Sequence, residues 1–287
     1  LYILVIAGII NTLLNLFFVI ALKMSVAGVA VATGIANMVS ALLIIRLLCK
    51  EKEPFKLHLN KIGVAWSELR RMLIIGIPAG LQGMVFSFSN VLLQTAINGY
   101  GSDAIAGSAA ALNFEYYCYF VISAFNGAAI SFIGQNYGAG NKERVRRIYW
   151  ICLTLSVVCC GALNELFVWQ RHFFLSFFSN DPNVQTYGAT RMGIVLAWQF
   201  IASSYEISAS SLRGMGRSML PTILTVFGTC LLRIVWVYVV CPIWHTYDVI
   251  MLVYPVSWCI TGIMVCTAFY LFARKKLYIE AATGHKL

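Results

Sequence analysis

Apolar residues run along this chain in stretches of twenty or so, separated by short polar segments. Eight stretches can be bounded, at roughly 1–20, 26–47, 71–96, 104–134, 148–168, 188–211, 219–241 and 249–272. A helix rises ~1.5 Å per residue, so about 20 apolar residues cross a hydrocarbon layer ~30 Å thick. The pattern predicts an all-α fold, a polytopic membrane helix bundle with eight transmembrane helices. Polar residues interrupt several stretches at helical spacing. In the third, Gly76, Gly80, Gly83, Ser87, Asn90, Gln94 and Asn98 step by three or four and form one stripe. The fourth repeats the pattern with Ser108, Ala111, Glu115, Tyr119, Ser123 and Asn126, and the sixth with Gln199, Ser203, Glu206 and Ser210. Gly8, Asn11 and Asn15 share a face in the first, and Ala30, Gly34, Asn37 and Ala41 in the second. Small residues in such stripes let helices approach closely in a membrane. The amides suit a water-filled cavity, and two of them one turn apart, as at Asn11 and Asn15, can coordinate a cation or a substrate.

Composition narrows the class. The chain is 60% hydrophobic and 11% charged, where a soluble domain carries about 25% charged residues. A soluble enzyme with a single anchor is excluded. The net charge of +10 lies in a few short loops between apolar runs, a placement that does not suit nucleic acid. Seventeen of the 21 Lys and Arg residues fall in 46–71, 142–147, 213–217 and the tail from Arg274. Lys23, Arg171 and Arg191 lie on the opposite side, and Arg233 lies inside a span. The asymmetry places loops 48–70, 135–147 and 213–217 and the C-terminus in the cytoplasm. Pro54 breaks the longest polar connection. Leu57, Leu59, Ile62, Val64, Trp66 and Leu69 within it predict amphipathic structure at the membrane surface. The nine cysteines have no CxxC pair and read as small buried hydrophobes. No catalytic or metal-binding motif occurs, so an enzyme, a cofactor and a metal site are not expected.

Three charges within the spans carry the candidate chemistry. Counting ~1.5 Å per residue puts Glu115 and Arg233 at similar depths, and a structural ion pair between them is expected. Glu206 has no basic partner at its own depth, because Arg213 lies two turns closer to the cytoplasm. A carboxylate inside a membrane helix usually faces a cavity or a partner. An unpaired one can exchange a proton or bind a cation.

Three motifs then carry a resemblance. IGIPAGLQG (75–83) lies at the start of the third span, GQNYGAGNKER (134–144) follows the fourth, and LRGMGRSMLP (212–221) lies between the sixth and seventh. In that order the chain resembles the multidrug and toxic compound extrusion (MATE) family, most closely its bacterial DinF-like branch. The resemblance implies twelve helices in two six-helix lobes around a central cavity, with cation entry driving export. It implies that 1–47 holds the last two helices of the first lobe. Residues 48–70 would be a cytoplasmic inter-lobe linker, 71–273 a second six-helix lobe and 274–287 a cytoplasmic tail. The chain is then expected to be an N-terminally truncated fragment of a protein in a bacterial inner membrane. The family's fifth helix commonly carries Asn, then Asp, then Pro. The matching run here is Asn11 to Asn15 followed by Leu16, without a carboxylate. Cation coupling is therefore expected in the second lobe, at Glu206 and Glu115 with Gln199 and Ser203 beside them. Asn90, Gln94 and Asn126, with Asn11 and Asn15, would line the substrate cavity. The implied function is Na+- or H+-coupled antiport of drug-like, often cationic compounds, with no obligate protein partner. A lipid or lipid-linked oligosaccharide flippase of the same superfamily is the alternative.

Overall fold

The computed structural model describes residues 2–52, 56–61 and 63–273. The expected tail 274–287 and the Pro54 break lie outside the described residues. The chain divides into two compact units, Leu1–Glu68 and Leu69–Leu287. In the first, α1 (Tyr2–Leu16) continues as a wider π-helical turn, Phe17–Ala21, and a short reversal leads into α2 (Ser25–Lys50). Gly28, Ala32 and Ala36 are the buried residues of α2. They repeat every four positions and lie on a different face from the expected Ala30, Gly34, Asn37 and Ala41. Gly34 has open space around it. A two-position offset on a helix turns a face by about 200°, so the predicted stripe points away from the face that α2 buries.

The second unit begins in α3 (Trp66–Asn98), which runs unbroken through Pro78. Residues 66–70 of the expected connection therefore belong to a helix, as do 48–50 at the end of α2. There follow α4 (Ser102–Gly138), α5 (Lys142–Trp169), the short α6 (Arg171–Ser176) and α7 (Pro182–Ile194). A 3-10 segment, Leu196–Ile201, joins α7 to α8 (Ala202–Gly214). The seventh span consists of α9 (Met219–Thr225), π-helical Val226–Leu231, α10 (Leu232–Val235) and π-helical Trp236–Val240. It is followed by α11 (Tyr247–Ala273). Among the described residues, seven helices are long and apolar enough to cross a membrane. The sixth expected stretch is not one of them, because the 3-10 segment divides it. That tightening coincides with two anchors onto a single residue of α4. Arg191 reaches the Glu115 carboxylate, and Gln199 Nε2 donates to the Glu115 main-chain oxygen at 2.9 Å. Short 3-10 stretches inside a helix often mark hinges or strain.

Many small and polar side chains are buried, and many large apolar ones face outward. Ala104, Gly107, Ser108, Ala110 and Ala111 line the buried face of α4. Phe88, Phe120, Phe132, Val158 and Ile263 are exposed. Helices in lipid associate through close packing and hydrogen bonds, because their apolar surfaces are already solvated by acyl chains. The main core joins Phe114 and Cys118 of α4 to Met192, Leu196, Met251 and Trp258. A second, smaller cluster around Ile133, Val145, Leu212 and Phe269 lies nearer the basic ends of the helices.

Two tight reversals set those ends. Gly140 (φ +73°) closes α4, with its N–H donating to Tyr137 O and Asn141 N–H donating to Asn136 O. Asn141 then caps α5, its side chain accepting from Arg144 N–H at 3.1 Å. Gly216 (φ +78°) closes α8 in the same way, with Arg217 N–H donating to Leu212 O at 2.8 Å. Only glycine enters this left-handed region without strain. Both reversals fall within the motifs that carry the family resemblance.

Candidate functional site

The polar residues of the second unit gather in two layers. Along α4 the layers are marked by Glu115 and Asn126, eleven residues and about 16 Å apart.

The first layer is closed. Arg191 grips Glu115 with two hydrogen bonds, Nε to Oε1 at 2.5 Å and Nη2 to Oε2 at 3.0 Å. Their side chains are 3% and 9% exposed. This corrects the expected pairing of Glu115 with Arg233. The reason is the packing of α7 on α4, close enough at Gly107 and Gly188 to leave no room for a Cβ, which places Arg191 beside Glu115. Arg233 instead donates to Asn90 Oδ1 at 3.0 Å and to Ser257 Oγ at 3.3 Å. The guanidiniums of Arg191 and Arg233 both lie over the Tyr254 ring, 5.4 and 4.6 Å from its centroid, and Arg233 also lies over Phe86. Rings and neutral oxygens thus surround Arg233, where a carboxylate was expected. Gln199 belongs to this layer, through its bond to the Glu115 carbonyl, and not to Glu206 as expected.

The second layer is more loosely held. Asn126 Nδ2 donates to Glu206 Oε2 at 2.9 Å. Among the described residues no basic group comes within ion-pair distance of Glu206. Arg213 acts on its charge through space while donating to Gln82 Oε1 at 2.6 Å. The phenol of Tyr119 also lies within electrostatic reach. Asn126 Oδ1 is buried and has no hydrogen-bond partner, and neither has Arg213 Nε. Ser203, expected beside the carboxylate, instead accepts a hydrogen bond from Ser156 of α5 at 2.9 Å. The arrangement offers a carboxylate outside any ion pair and an unpartnered amide oxygen on the residue that holds it. Both are hard donors of the kind that bind a proton or a small cation.

The remaining expected residues are occupied locally. Gln94 Nε2 donates to Asn98 Oδ1 within α3 at 3.0 Å. In the first unit, Asn15 Nδ2 donates to Asn11 Oδ1 at 3.0 Å and Asn11 Nδ2 reaches Thr33 of α2 at 3.4 Å. Asn15 Oδ1 is buried and unpartnered. Arg191, Tyr254 and Ser156 were missed by sequence reasoning. Arg191 had one available signal, a cation just inside an apolar run (GATRMGIVLAW) with no acidic neighbour.

Comparison with known proteins gives this arrangement its context. The chain is 28% identical over 211 residues to a probable multidrug resistance protein NorM of Thermotoga maritima, covering 71% of this chain and 44% of that protein. It is 25% identical over 231 residues to an FAD transporter of Shewanella oneidensis, covering 73% and 50%. The chain therefore spans about half the length of these relatives. A multidrug resistance MATE family transporter solved in an outward-facing conformation superposes with a TM-score of 0.83 at 18% identity, over 99% of this chain and 63% of the other. A MATE transporter of Vibrio cholerae superposes at 0.77 and 16% identity, over 96% and 61%. The MatE family model matches residues 78–239, more than half of the chain and most of both polar layers, and the chain thus belongs to the MatE family.

Proposed function

We propose that this chain forms the second lobe, and the end of the first, of a secondary active efflux transporter. A proton or sodium ion drives export of drug-like organic compounds by alternating access. The observation that carries this reading is the half-buried Glu206 carboxylate, held among the helices without an ion-pair partner among the described residues. It sits on α8, immediately after the 3-10 break in its span. An unpaired carboxylate within such a helix bundle is costly, and groups of this kind usually mark an ion or substrate pathway. Glu115 does not compete for the role, because Arg191 already neutralises it.

In the proposed cycle the free carboxylate goes with a cavity that accepts drug from the cytoplasm. Cation binding at Glu206 and Asn126 from the outer side favours the opposite arrangement and drug release. The ion drives the change only through different affinities for the two states. The break at 196–201 is the element able to carry Glu206 between them. Relatives named as multidrug resistance proteins support a drug-like substrate. The lysine and arginine asymmetry supports loops 48–70, 135–147 and 213–217 and the C-terminus on the cytoplasmic side of a bacterial inner membrane.

The test uses inverted membrane vesicles containing the transporter at full length. A cationic dye is placed outside, and sodium and proton gradients are imposed separately. Gradient-driven uptake that disappears in Glu206→Gln, with the protein still present in the membrane, is expected, and the productive gradient names the ion. Uptake by the variant at the normal rate overturns the assignment. No uptake by either protein under either gradient turns the reading towards the flippase alternative and a lipid substrate.

A further inference from the structure

A cavity of about 470 Å³ lies where α8 turns into α9, remote from both carboxylates. Its lining includes Ile74, Arg217, Ser218, Met219, Leu220 and Phe272. The Gly216 reversal fixes the position of Arg217, whose N–H is tied to Leu212 O. The guanidinium stands 5.6 Å from the centroid of the Phe272 ring. Cation–ring stacking occupies a face of the guanidinium and leaves its N–H edge available. Among the described residues no carboxylate lies within ion-pair distance of Arg217. Ser218 is only 3% exposed, yet its hydroxyl has no hydrogen-bond partner. A buried unpartnered hydroxyl carries an uncompensated desolvation cost, and an acceptor entering the cavity would offset it. The other walls are apolar and face outward, with Ile74 and Met219 55% exposed and Leu220 41%.

A cation stacked on a ring, a waiting hydroxyl donor and an exposed apolar flank together describe a recognisable chemistry. We propose that this cavity binds the phosphate of an anionic glycerophospholipid in the cytoplasmic leaflet. Arg217 and Ser218 hold the phosphate, and an acyl chain lies along Ile74, Met219 and Leu220. The leaflet assignment rests on the membrane orientation given under the proposed function. A free anion would need the cation and the hydroxyl but not the outward apolar walls, which favour a lipid. The bound lipid would tie α3, the α8–α9 turn and α11 together at one end of the bundle.

The test follows thermal unfolding of the full 287-residue chain in detergent micelles, with phosphatidylglycerol, phosphatidylcholine or inorganic phosphate added. Phosphatidylglycerol is expected to raise the midpoint more than phosphatidylcholine does, and inorganic phosphate to leave it unchanged. Arg217→Gln should raise the half-saturating phosphatidylglycerol concentration about tenfold, as loss of a charge-assisted contact implies, and Arg217→Lys should recover part of the effect. Ser218→Ala is the more telling variant. It deletes an unpartnered hydroxyl, so the lipid-free midpoint should not fall, while the response to lipid weakens. An equal phosphatidylglycerol response in the wild-type chain and both loss variants overturns the site. A midpoint shift reproduced by inorganic phosphate alone overturns the lipid assignment. The micelle readout involves neither orientation nor transport. Its failure therefore leaves the transport reading intact, and a failure of dye export leaves the lipid site intact.

Discussion

Glu115 on α4 and Glu206 on α8 are both carboxylates that contact a neighbouring helix, but their surroundings differ in kind. Glu115 is met by two guanidinium nitrogens of Arg191, and Gln199 fastens its main chain as well. Glu206 is met by the neutral side chains of Asn126 and Tyr205, while Arg213 is engaged by Gln82. The first arrangement suits a permanent charge pair that locks a broken helix onto α4. The second suits a group whose charge state can change without unlocking the bundle. A buried carboxylate is thus not by itself a functional signal, since its partners decide which role it plays.

The largest expected effect comes from breaking the closed layer. Arg191→Ala leaves the Glu115 charge buried and alone and should destabilise the chain by about 3–5 kcal/mol. A thiol-reactive fluorophore can follow this on heating, through exposure of the buried Cys118, Cys152 and Cys160. Replacing both partners, as in Glu115→Leu with Arg191→Met, should recover most of that loss, because the desolvation of both charges is removed as well. A double variant as unstable as the single one would show that the pair specifies the packing in some further way.

Asn126→Ala comes next. It removes a hydrogen bond to a charged acceptor, worth about 1.5–3 kcal/mol, and should also weaken gradient-driven export at full length. Glu206→Gln should change stability by no more than about 1 kcal/mol, because a neutral amide can take the same place beside Asn126. A loss as large as that for Arg191→Ala would erase the contrast between the two carboxylates. The smallest effect is expected at the helix ends. Asn141→Ala removes the α5 cap and should cost about 1 kcal/mol with no effect on ion coupling, which makes it the control for stability-driven loss of transport.

Most of the helical plan was legible in the sequence, because a membrane demands long apolar runs and confines charge to their ends. Gly140, Asn141 and Gly216 were visible as turn chemistry within the motifs. The first and seventh spans carry similar short runs and similar local structure. TLLN (12–15) and CLLR (230–233) are each followed closely by a π-helical turn, at Phe17–Ala21 and Trp236–Val240. The polar partners were less legible. The stripe of Gln199, Ser203 and Glu206 assumed one continuous helix. The 3-10 segment changes the angular step per residue at Gln199, which turns to Glu115, while Ser203 and Glu206 on α8 meet Ser156 and Asn126 on two different helices.

By itself the sequence determined that this is a polytopic helical membrane protein of eight apolar stretches. It also set which ends carry the basic residues, and that few carboxylates enter the spans. These are consequences of hydrocarbon solvation and helix periodicity, and both act locally along the chain. Only the tertiary structure decided which cation neutralises Glu115, what replaces a carboxylate around Arg233, and which face α2 buries. Those outcomes depend on where a helix breaks and how far it turns. Close packing of α7 on α4 brings Arg191 onto Glu115, and among the described residues Glu206, one turn beyond the 3-10 segment, has no ion-pair partner.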